Sequence, residues 1–159
     1  MFHSAIIDAI RDRLLADNGT GGIGGSGTPL PGGVFSIARL AGATARPFAV
    51  VGLSTAFDGT LARGAWDVNV TVTVYGDHQN QIDTTWTAAD RIIGNAYAAS
   101  DSVPTYGLHA WLPSALTVSG YTVTLSGFQH VSTDTVLADD NVATASIVFK
   151  TRVNVSPGA

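Results

Sequence analysis

A chain of 159 residues suggests one domain, large enough to bury about 68–70% of its unfolded surface without help from a disulfide or a metal. It contains no cysteine, which excludes disulfides and thiolate metal sites. A net charge of -4 leaves no basic footprint for wrapping nucleic acid, and no apolar run approaches the ~20 residues of a membrane span. With 13% charged and 45% apolar residues, the composition points to a surface partly covered by partners.

Phe2 to Ala16 is helical by pattern, with Phe2, Ile6, Ile10 and Leu14 on one face and Asp8, Arg11 and Asp12 away from it. Its acids and the lack of a small-residue cleavage site argue against a signal peptide. Gly19 is placed to act as the residue just past the helix end. Asn18 to Gly33 is rich in glycine and proline and predicts no regular structure. No strand precedes it and no Gly-Lys-Ser/Thr follows, so a phosphate-cradling loop is not supported. It is read as a flexible loop, or an arm that orders on a partner.

Val34–Leu40 is a short strand or a helical turn. Phe48–Leu53 is a near-continuous apolar run and predicts a strand buried on both faces, followed by a loop over Ser54–Gly64 that contains Asp58-Gly59. The clearest segment runs from Ala65 to Ala99. Trp66, Val68, Val70, Val72 and Val74 alternate with polar residues, which makes a strand with one buried face. The period then changes: Ile82, Trp86, Ala89, Ile93 and Ala96 form one stripe of a helix over Ile82–Ala99 that can cover the valines. Ser100 to Pro113 is irregular and anchored by Tyr106, Leu108 and Trp111. Leu116–Leu125 and Gly127–Leu137 predict strands, with turn or bulge points at Ser119-Gly120 and Ser126-Gly127. Ala138–Asn141 is a hairpin loop. The final strand alternates from Ala143 through Ala145, Ile147, Phe149, Thr151 and Val153 to Val155. These periods predict a chain of mixed helix and strand, with the central helix covering the valine face of the strand before it.

Little of this carries chemistry. His3, His78, His109 and His130 have no metal-ligand spacing, and Asp77-His78 follows a strand end without a nucleophile motif. Asp139-Asp140 lacks the further spaced oxygens of a calcium loop. Trp66 and Trp86 lie on apolar stripes and predict core packing, whereas Trp111 lies in a loop and is open to an interface role. The sequence predicts no enzyme and no cofactor or metal.

The order of parts carries a resemblance. An N-terminal helix and a variable loop precede the strand Pro47-Phe48-Ala49-Val50-Val51. The strand Asp67–Tyr75, the helix containing Ala88-Ala89-Asp90-Arg91-Ile92-Ile93, and a long hairpin ending in Ala145–Val155 follow. From Phe2 to Val155 this resembles the tail terminator, or tail completion, proteins of long-tailed bacteriophages. The glycine-rich loop and the longer Ser100–Ser114 segment depart from that pattern.

The resemblance implies an α/β (α+β) fold, a twisted, mostly antiparallel sheet with an N-terminal and a central helix on one face and a long C-terminal hairpin, in a single tail-terminator-like domain over 1–159 that forms a ring, a homo-hexamer. The ring caps the tail tube, stops its growth and meets the head-completion or connector proteins. DNA passes through the lumen only as cargo, no membrane is involved, and the protein resides in the virion after assembly in the host cytoplasm. Two competing readings are another neck, tail-tube or baseplate subunit of the same virion, and a non-viral binding module. A ring needs two different contact patches on each subunit. The candidates are Asp58 and Gly59, the segment bearing Trp111, and the hairpin tip with Leu137, Asp139, Asp140 and Asn141.

Overall fold

The computed structural model describes residues 2–36, 45–57, 64–77, 82–94, 106–137 and 142–158. Their chain order is helix α1 (Phe2–Leu15), strands β1 (Val34–Ser36), β2 (Phe48–Phe57) and β3 (Ala65–Asp77), helix α2 (Ile82–Ile93), and strands β4 (Leu116–Val118), β5 (Tyr121–Leu125), β6 (Gln129–Leu137) and β7 (Val142–Pro157). The seven strands form one sheet in the order β1-β2-β3-β7-β5-β4, with β6 also paired to β7. Every pairing is antiparallel except β1 with β2. This is the α+β fold that the resemblance implies.

The sheet is built around the β3–β7 ladder. Its inner face takes Val68, Val70, Val72 and Val74 from β3 and Ala145, Ile147, Phe149 and Val153 from β7, all fully buried. Each such valine or isoleucine contributes roughly 1.5–3 kcal/mol by leaving water. Both helices pack on this face. Ile6, Ile10 and Leu14 of α1 are buried as their spacing predicts. Helix α1 touches β1, β2 and β4, which lie towards opposite ends of the strand order, so the sheet curls around it.

Strand β7 is long enough to need two partners on one edge. β3 takes the other edge from Val142 to Asn154, while β5 pairs with its C-terminal end and β6 with its N-terminal half. β5 and β6 are thus one interrupted strand. Leu125 faces Val153 and Gln129 faces Lys150, so three residues stand opposite two, and a second register shift follows at Val131. Such bulges bend and twist a strand. The bulge at Ser126 is fixed by polar groups: its amide donates to the Arg152 carbonyl at 2.8 Å, its Oγ accepts the Arg152 amide at 2.8 Å, and Thr151 Oγ1 donates to its carbonyl at 2.7 Å.

Several expectations are corrected. The residues Ser54 to Phe57, read as loop, continue β2 because β3 supplies ladder partners as far as Trp66. Helix α1 ends at Leu15 and Gly19 does not cap it; the next amides fold back in turns from Asp17 onward. Helix α2 ends at Ile93, where Gly94 takes a left-handed φ of 98° and stops it. The Leu108 and His109 amides then accept duty for the helix end by donating to the Ile92 and Ile93 carbonyls. The buried stripe of α2 is Thr85, Ala88, Ala89, Ile92 and Ile93, and Trp86 is exposed rather than in the core. Small residues let the helix sit close to the valine sheet, and the indole is too large for that gap. The turn expected at Ser119-Gly120 is present and divides Leu116–Leu125 into two strands; its φ values of 49° and 82° are the positive pair a type I′ turn requires.

Candidate interface surfaces

The glycine-rich segment has no helix or strand, as its composition predicts, yet it is not a free arm. Asp17 stands at its root, 6% exposed. One carboxylate oxygen accepts the Ile23 amide at 3.4 Å, and the Asp17 carbonyl accepts the Gly24 amide at 3.0 Å. Ile23 and Leu30 are buried in the main core. A Cβ on Gly22 or Gly24 would overlap the Asp17 or Leu15 carbonyl, so close backbone approach, not flexibility, accounts for those glycines.

The same carboxylate holds α2. Arg91 Nε and Nη2 donate to its two oxygens at 2.6 and 2.7 Å, and the guanidinium lies 3.9 Å from the Tyr106 ring centroid. These hydrogen bonds hold the Arg91 guanidinium above its ordinary arginine value. Arg13 donates to the Gly107 carbonyl at 3.0 Å and stands 5.6 Å from the centre of the Trp111 ring; its partial burial lowers its own value.

Trp111 stacks on Phe128 at 5.2 Å and 15° between planes, and backbone hydrogen bonds tie residues 110 and 111 to Phe128. Trp111 thus anchors the irregular segment, and its neighbour Leu112, 70% exposed, is the residue offered to solvent. Leu137 closes β6 and is exposed, as is Val136. Asp58, Gly59, Asp139, Asp140 and Asn141 lie outside the described residues, as does Asp77-His78 beyond the strand backbone.

Two of the surface clefts border the β5–β6 interruption and the outer end of β5. One, of about 190 Å³, is polar and includes Lys150 and the Asp67–Arg152 ion pair, closed at 2.8 Å. The other, of about 260 Å³, is lined by Phe2, Val118, Ser119, Tyr121, Val123 and Val155. No local pattern announces this second cleft, because its walls come from α1, the β4–β5 hairpin and the end of β7. His109 Nδ1 accepts the His130 amide at 3.0 Å, which commits that imidazole to holding the segment against β6. Among the described residues no three histidines or carboxylates converge as a metal site, and no helix is long and apolar enough to cross a membrane.

No family model matches the sequence, and no curated protein matches it either. The fold does have a counterpart. A chain in the virion of a native gene transfer agent particle aligns with a TM-score of 0.57, covering 94% of this chain and 94% of its own length. The fold is shared with that chain. Identity is 19%, so the likeness lies in the path of the backbone over nearly the whole domain rather than in a common set of side chains.

Proposed function

We propose that this protein is a non-catalytic structural component of a phage-like virion: a ring-forming tail terminator that caps the tail tube and joins it to the head-completion proteins. The observation that carries the reading is the alignment over 94% of both chains with a component of a virion particle. It coincides with the order of elements by which the sequence resembles the terminator family. The ring is taken as a homo-hexamer with a lumen through which DNA passes. A net charge of -4 suits a lumen that must let DNA slide and not hold it. Capping requires one satisfied contact with the tube and no second tube-like face for further growth.

A tail-tube or other neck subunit is the second reading. The β6–β7 hairpin, whose β6 residues from Thr133 to Leu137 are all exposed, favours it, because a projecting hairpin suits the growing rings of a tube. A small-molecule site in the 260 Å³ cleft is disfavoured, because that cleft offers only Ser119 and the Tyr121 hydroxyl where a ligand site needs convergent polar groups.

The test mixes purified protein with polymerising tube protein and measures tube lengths by electron microscopy. Tubes of arrested length with one ring at one end are expected. Unchanged lengths and bare ends would reject the terminator role.

A further inference from the structure

We propose that the polar cleft beside Lys150 and Arg152 receives the exposed row Asp83, Trp86 and Asp90 of helix α2 from a second copy of this chain, joining subunits head to tail. The proposal deepens the ring reading and rests on it. Lys150 is the only lysine of the chain. Among the described residues it is also the cation that no hydrogen bond or ion pair engages: Arg11, Arg13, Arg46, Arg91 and Arg152 all have partners within the chain. Asn69 and Gln129 stand opposite Lys150 on its two sides, and Arg152, held by Asp67, is the next residue on that face of β7. The cleft therefore sets two cations against one acid. Its volume of about 190 Å³ lies below the ~300 Å³ at which small-molecule pockets begin, so it suits one side chain rather than a ligand.

Helix α2 carries the complement. Its buried stripe faces the sheet, while Asp83, Trp86 and Asp90 lie along an outer side and are exposed. Their spacings of three and four residues make one row, with an acid a turn before the indole and another a turn after it. Trp86 is 37% exposed, and neither acid has an ion pair among the described residues. An indole between two carboxylates matches a cleft that holds two cations. The ring takes a cation on its face, and the acids pair with the basic side chains at the rim. The two features cannot meet within one molecule. Helix α2 packs on the inner face of the sheet against β3 and β7. Lys150 and Arg152 alternate with the buried Phe149, Thr151 and Val153, which puts them on the outer face. The sheet separates row from cleft, so the occupant comes from another chain, and a contact between two different patches propagates around a ring.

Charge exchange tests the pairing. Asp90→Lys and Lys150→Asp each change an exposed residue and should leave the thermal midpoint near that of wild type. Self-association is followed by sedimentation velocity in solution and by cross-linking on tail-tube ends. Each variant alone should associate about tenfold or more weakly, because like charges then face each other. An equal mixture of the two variants, and a chain carrying both changes, put opposite charges together again and should return to within about threefold of wild type. Wild-type association of either single variant, or loss that neither combination restores, would overturn the proposal. Trp86→Ala should weaken association by about tenfold as well, and an unchanged value would overturn the proposal too. A wild-type chain that self-associates in neither setting would do the same. Loss of tube capping by Lys150→Asp with self-association intact would assign the cleft to the tube protein and overturn the proposal. Capped tubes with symmetric rings indifferent to all three changes would remove this contact and leave the terminator reading intact. Rings that obey the charge exchange but leave tubes uncapped would do the reverse.

Discussion

The β3–β7 ladder and the glycine-rich segment 18–33 are both part of one packed domain, but they are held by different means. The ladder is held by repetition. Apolar residues alternate along both strands, interrupted on β7 by Thr151, the register runs unbroken from Ala65 opposite Asn154 to Asp77 opposite Val142, and no single side chain carries the whole. The segment is held by local turns, by Thr28 and by one buried carboxylate at its root. The Asp17 carboxylate ties the Ile23 amide to Arg91 of α2, and Ile23 and Leu30 then enter the core. Order without periodicity therefore depends on a polar hub, and the two regions should fail differently when altered.

The largest effect is expected in the ladder. Val70→Asp places an unpaired charge in a fully buried site and should cost about 4 kcal/mol or more, enough to prevent soluble folding. Thr71→Asp, on the opposite face, should cost less than about 1 kcal/mol in denaturant melts. Equal behaviour of the two would break the argument from alternation.

Asp17→Ala comes next, at about 2–4 kcal/mol, because it strands the Arg91 guanidinium and the Ile23 amide together. Its signature is regional: amide exchange should speed up over 19–30 while β3 and β7 keep their relative protection. The pH sign follows from Arg91, whose value is raised in the folded state. The arginine's contribution is fully present below the ordinary arginine value and is lost only above it, so the difference between variant and wild type should be flat from pH 7 to 10.

The smallest contrast lies inside the segment. Gly24→Ala should cost about 1–3 kcal/mol, since its Cβ meets the Leu15 carbonyl. Gly19→Ala meets nothing within 4 Å and should stay within about 0.5 kcal/mol of wild type. Thermal melts of the two distinguish a packed loop from a flexible one, which would tolerate both equally.

The same division explains what the sequence reveals. The alternation in β3 and β7 and the stripe of α1 are local patterns, and they predict those elements with their buried faces. The stripe of α2 is misread because Trp86, the most apolar-looking member, is displaced by Ala88 and Thr85, whose small size matters only once the sheet is beneath them. The order of the glycine segment depends on Arg91, 74 residues from Asp17, and no local pattern announces that pairing. The candidate contacts divide likewise. Leu137 is recognised from its place at a hairpin end, whereas Phe2, Val118 and Val155 are far apart in the chain and make a cleft only through the curl of the sheet.

Electron cryomicroscopy of assembled particles tests the virion role most directly. One rotationally symmetric ring of this protein, at the end of the tail tube that meets the head, is the predicted result. A single copy at that position, or copies repeated along the tube, would contradict it.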